Sequence, residues 1–113
     1  MGDLRIQQEG DRLVAKAIVE DLTMPAYMIA YDLSNKPEAN YESITERIRN
    51  LFAIRCHLQY SVWLVRSNRS SEQVYDLLRP EMDDDDDLFV VDLGDDWVAS
   101  ASPSVIKWLD RHL

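Results

Sequence analysis

The chain has 113 residues, 46% of them hydrophobic and 29% charged, with a formal net charge of −9 from 21 acidic and 12 basic side chains. That length suits one domain with one core. No apolar run reaches the roughly 18 residues of a membrane-spanning helix, and the acid excess opposes the counterion release that drives non-specific nucleic-acid binding. Cys56 is the single cysteine, so no intramolecular disulfide can form. The first residues lack the basic and apolar stretches of a secretory signal, which leaves a cytoplasmic location as the expectation.

The first 23 residues read as an N-terminal extension to a domain spanning 24–113. LRIQQ and RLVAKAIVE on either side of a turn at Glu9, Gly10 and Asp11 favour a β-hairpin. Leu13, Val14, Ala17, Ile18 and Leu22 also recur at helical spacing, and Met24 is an alternative natural start.

Residues 27–32 are rich in strand formers and follow Pro25, which a strand tolerates at its first positions. Tyr41, Ile44, Ile48, Leu51 and Phe52 then recur at helical spacing, with Asn40 placed as an N-cap. From 57 to 66, Leu58, Tyr60, Val62 and Leu64 alternate with His57, Gln59, Ser61, Trp63 and Val65, the period of a half-buried strand. Ser70 and Gln73 form a capping-box pair ahead of Val74, Leu77, Leu78 and Met82, with Pro80 set to end or bend that second helix. Five consecutive aspartates, 83–87, repel one another and predict an extended solvated loop. Residues 88–93 are an apolar strand closed by Gly94, and Ser102 with Pro103 opens a C-terminal helix.

Residues 66–70 are too few for another full strand, so a third strand must be the far half of a long bent one. The order then fits an α+β fold: a ferredoxin-like split βαβ antiparallel sheet with helices on one face, plus the C-terminal helix. The other sheet face would be bare in a monomer. Trp63, placed there by the alternation, predicts a dimer interface, because burying so large an aromatic is worth roughly 1.5–3 kcal/mol.

Taken together, YMIAYDLS, QYSVWLV and LFVVDLG resemble the small ferredoxin-like CRISPR-associated endoribonucleases that form the core dimer of spacer acquisition. The resemblance extends to their stand-alone SinR-family or VapD-like relatives and covers roughly residues 24–93. It implies a homodimer in which Tyr31 and Asp32 end the first strand and the two aspartates approach across the interface. It implies further that Asp32 serves as catalytic residue and ligand of Mg²⁺ or Mn²⁺ for phosphodiester cleavage. Ser61, Val62 and Trp63 match the second-strand motif. The basic cluster that usually follows the aspartate is replaced here by Ser34, Asn35, Lys36 and Pro37.

The residues themselves leave simpler roles open. Asp32 is the kind of oxygen ligand that Mg²⁺ accepts, or a cap for the loop that follows. Ser61 can donate to a phosphate oxygen or merely fit a crowded sheet face. Arg66, in a strip with Arg47, Arg49, Arg55 and Arg69, is a candidate substrate contact. His57 suits general acid–base work or a surface position. The competing functional class is a non-catalytic dimeric module that binds a protein partner.

Overall fold

The computed structural model describes residues 24–113 throughout and, of the first 23, the backbone of two strands. These are β1 (Leu4–Glu9) and β2 (Arg12–Ala17), which pair antiparallel with Leu4 opposite Ala17 and Glu9 opposite Arg12. Of the turn expected at Glu9, Gly10 and Asp11, Glu9 is the last residue of β1; Gly10 and Asp11, the helical positions Ile18 and Leu22, and the residues just before Met24 lie outside the described residues.

The domain runs β3 (Ala26–Asp32), α1 (Glu38–Leu51), β4 (Arg55–Gln59), β5 (Val62–Arg66), α2 (Ser71–Leu78), β6 (Asp87–Asp92) and α3 (Pro103–His112). The four strands lie in the order β4-β5-β3-β6, every neighbour antiparallel. Because α1 carries the chain from β3 past the slot that β5 fills, this is the split βαβ arrangement of an α+β, ferredoxin-like fold. Among the described residues no helix is long and apolar enough to cross a membrane.

Alternation along the two central strands decides the faces. Tyr27, Ile29 and Tyr31 of β3, with Trp63 and Val65 of β5, point at Ile44 and Ile48 of α1 and Val74 and Leu78 of α2, forming one buried cluster. Ser70 caps α2 as the sequence indicates: its hydroxyl accepts from the Gln73 amide at 3.1 Å, and the Gln73 side chain accepts from the Ser70 amide at 2.9 Å. Pro80 sits in a 3₁₀ turn directly after α2. The first helix starts earlier than expected, with Pro37 rather than Asn40 at its N-cap.

Two expectations for this region differ from the structure. The stretch 57–66 is not one strand but the hairpin β4–β5, turning at Tyr60 and Ser61 between paired Gln59 and Val62, with a bulge at Leu58. Neither turn residue has positive φ, so no glycine or asparagine is required to mark the turn. His57, Trp63 and Val65 share one face as the alternation has them, but that face, not the leucine-bearing one, packs toward the helices, and Trp63 is 2% exposed within its own chain. It does not need a second copy to cover it.

Nor is the opposite face bare. Leu64 and Met28 point there, and Leu109 and Leu113 of the C-terminal region, with Leu93 and Trp97, line with them a small apolar cavity of about 120 Å³. Leu64 is 4% exposed as a result. Arg66 fastens this cover, its guanidinium donating to the carbonyls of His112 and Met24. The uncovered half of the face holds Ala30 and Val62 beside Phe89 and Val91 of β6.

Trp63→Ala should cost about 3–5 kcal/mol, the range for large-to-small core truncation, and Ser70→Ala about 1 kcal/mol for a lost cap. Urea unfolding at low protein concentration checks both. A Trp63→Ala protein as stable as wild type would show that the ring is not core.

Candidate functional site

Asp32 ends β3, and the chain turns away because Leu33 is pulled under α1 and buried. Tyr41, near the start of that helix, fixes the turn. Its hydroxyl accepts from the Leu33 amide at 3.1 Å and lies 3.3 Å from the Leu33 carbonyl and 3.4 Å from Asp32 Oδ1. Asp32 is exposed, and directly across the sheet it faces Asp87, the first residue of β6. Paired residues of an antiparallel ladder have Cβ atoms about 4.5–5.5 Å apart, and like charges so placed cost stability.

The loop after Asp32 is held from the other side by the aspartate run. Asp86 is only 6% exposed. It accepts from the Asp83 amide at 2.8 Å, from the Ser34 amide at 2.9 Å and from Lys36 Nζ at 3.2 Å. Lys36 also reaches Asp85 at 3.0 Å and Asp83 at 3.4 Å. The run is therefore not the uniformly solvated loop its composition predicts, since one member is an internal anchor. Carboxylate oxygens of Asp83, Asp85 and Asp86 come within 4.8 Å of one another, the spacing of a cation site, and the Lys36 ammonium occupies it.

These contacts set the protonation of both partners. The Asp83 amide first, then Lys36 and the Ser34 amide, hold the Asp86 carboxyl below its ordinary value against the opposing effect of burial. Lys36 is correspondingly raised, chiefly by Asp85 and then by Asp86.

A cluster of rings adjoins Asp32. Tyr31 and Tyr41 have centroids 6.2 Å apart, and Tyr41 and Tyr60 5.0 Å. The Tyr60 hydroxyl donates to the Glu38 carboxylate, which pushes its pKa up to about 12. Behind them the Trp63 indole donates to the Tyr31 hydroxyl at 3.1 Å, and His57 lies flat on the Trp63 ring at 4.0 Å.

The structure brings Asp32 and Ser61 to the same end of the sheet, where the Tyr31 amide donates to the Ser61 carbonyl at 3.1 Å. It does not bring Arg66. That residue pairs with Ala26 at the other end of β3, about 20 Å away by strand rise, where it binds backbone carbonyls. His57 stacks on Trp63 and contacts the Tyr60 carbonyl at 2.9 Å, a structural use of the ring. The basic strip is likewise spent locally: Arg47 on Glu81, Arg49 on Glu46, Arg55 on the Phe52 carbonyl, and Arg69 over the Phe52 ring.

Asp32 and Asp87 offer hard oxygen donors from paired positions of the ladder, and no described lysine or arginine forms an ion pair with either. Sequence reasoning missed Lys36, Asp86, Glu38 and Tyr60. The first two were hidden in a loop and a low-complexity run, and Tyr60 in a false alternation. No family model matches the chain, and no curated protein does either.

Because the Asp86 pKa is depressed in the folded state, its contribution to stability is complete above the unfolded carboxylate value and is lost as pH falls below about 4. Asp86→Asn should lower the melting temperature at pH 7 and flatten its fall toward pH 3. Unchanged melting curves would remove the anchor role.

Proposed function

We propose that the chain works as a homodimeric protein-interaction module, two copies meeting through the half of the open sheet face that α3 leaves uncovered. The observation that carries this reading is Phe89, 64% exposed at the centre of a regular strand. Burying a phenylalanine is worth roughly 1.5–3 kcal/mol. Its neighbours favour a second copy as the cover. Phe89 stands beside the small side chain of Ala30, with Val62 beyond, so a projecting ring adjoins a shallow hollow. A two-fold axis can set each ring into the other copy's hollow.

Val91, Trp97 and Val98 extend the apolar surface. Edge-to-edge pairing of β6 is opposed, since an antiparallel self-ladder would place Asp87 against Asp92 of the other copy. Face-to-face contact avoids that opposition. Among the described residues no basic side chains converge at Asp32, which fits a partner other than nucleic acid.

Sedimentation equilibrium tests the proposal. Wild type should be a dimer at micromolar concentration and Phe89→Ser a folded monomer. A monomeric wild type, or a Phe89→Ser protein that dimerises equally well, would reject it.

A second reading, metal-dependent phosphodiester cleavage, is favoured by the exposed juxtaposition of Asp32 and Asp87 and by the resemblance to CRISPR-associated endoribonucleases. Asp32 and Asp87 would hold Mg²⁺ or Mn²⁺, with the Tyr41 hydroxyl orienting Asp32 and Ser61 close by. When bound, such an ion stabilises phosphoryl charge and orients a water. Under this reading wild type should cleave single-stranded RNA or duplex DNA with Mg²⁺ or Mn²⁺, and Asp32→Ala should lose at least about a hundredfold, the scale of one transition-state contact. Equal products from both proteins, or none from either, would discard it.

A further inference from the structure

We infer that the exposed surface formed by Tyr60, Tyr41, Glu38 and Asp32 binds an arginine side chain from a basic segment of a partner protein. The inference rests on the interaction reading above, though not on the dimer.

Tyr60 caps the β4–β5 hairpin and is 56% exposed. Its ring is tilted 38° against Tyr41 at 5.0 Å, and Tyr41 in turn backs on Tyr31, so an outward aromatic face is buttressed by two further rings. Such faces are electronegative and attract a planar cation. Two carboxylates adjoin them. Glu38 accepts from the Tyr60 hydroxyl, and Asp32 lies 3.4 Å from the Tyr41 hydroxyl.

The described ion pairs lie elsewhere. Lys36 is held by Asp83, Asp85 and Asp86, Arg47 by Glu81 and Arg49 by Glu46. Among the described residues, no lysine or arginine pairs with Glu38, Asp32 or the neighbouring Asp87. Among the described residues the site is therefore a set of carboxylates without a lysine or arginine partner, bordering an exposed ring, on a chain of net charge −9.

Chemistry selects guanidinium among cations. It is planar and weakly hydrated, stacks on an aromatic face, and presents several N–H donors to adjacent carboxylates. A strongly hydrated metal ion gains nothing from ring faces. A nucleic-acid backbone would meet only like charge here.

The probe is a fluorescein-labelled peptide of alternating arginine and serine, followed by fluorescence anisotropy at fixed ionic strength. Wild type should bind it. Tyr60→Ala, which leaves the charge unchanged, should weaken binding about fivefold, the worth of an exposed cation–π contact. Glu38→Gln should weaken it by at least as much.

Glu72→Gln is the matched control. It removes the same charge from the first turn of α2, which follows β5 at the opposite end of the sheet, and should change binding less than twofold. Wild-type-like binding by Tyr60→Ala, or a loss in Glu72→Gln equal to that in Glu38→Gln, would overturn the inference by reducing it to diffuse charge attraction. Phe89→Ser separates the two proposals. If it is monomeric and still binds the peptide, both stand. A dimeric wild type without peptide binding sinks this one alone, and a monomeric wild type that binds sinks only the dimer.

Discussion

The indole of Trp63 is the constraint around which the domain is arranged. A ring of that size buried at 2% exposure must find an acceptor for its N–H, and Tyr31 supplies one at 3.1 Å. Tyr31 is on the central strand, so this one contact locks the hairpin to β3 from inside the core. Its consequences run outward: His57 is laid across the indole, and Tyr31 supports Tyr41, whose hydroxyl fixes the end of β3. The candidate site is thus the solvent-facing edge of the core.

Charge placement complements this packing. A nearly buried carboxylate survives in a fold only when fully engaged, and Asp86 is engaged by two amides and an ammonium. That knot joins the loop after β3 to the loop before β6, and so fixes Asp32 opposite Asp87. Among the described residues the remaining acids near the site meet tyrosine hydroxyls but pair with no lysine or arginine, which is why their function is sought outside the chain. Arg66 plays the converse part at the far end of β3, where burial lowers its pKa and backbone carbonyls receive its donors.

Much of the architecture was legible in the residues. Ser70 and Gln73 mark their helix because a capping box is a local interaction with fixed spacing, and the apolar stripes of α1 and α2 follow from helical periodicity. The strand ending at Asp32 and the split βαβ order were legible for similar reasons. What failed was non-local or unmarked. The Tyr60–Ser61 turn uses no positive φ and left no glycine to read, and periodicity separates the two faces of β5 without telling which one packs on the helices: the Trp63 and Val65 face does, not the Leu64 face. The pairing of Lys36 with Asp86, 50 residues apart, exists only in the folded chain. Of the candidate residues, Asp32 and Ser61 lie at one end of the sheet and Arg66 at the other, a separation that spacing along the chain does not reveal.

With Trp63 satisfied internally, the surface left for a second copy is the Phe89 patch, and this relocation is the centre of the account. A dilution series of amide and methyl NMR spectra tests it most directly. The account predicts concentration-dependent shifts confined to Phe89, Val91, Ala30, Val62 and their neighbours, with the Trp63 indole N–H unmoved. Shifts centred on Trp63 and the β4–β5 hairpin, or spectra independent of concentration with the size of a monomer, would contradict it.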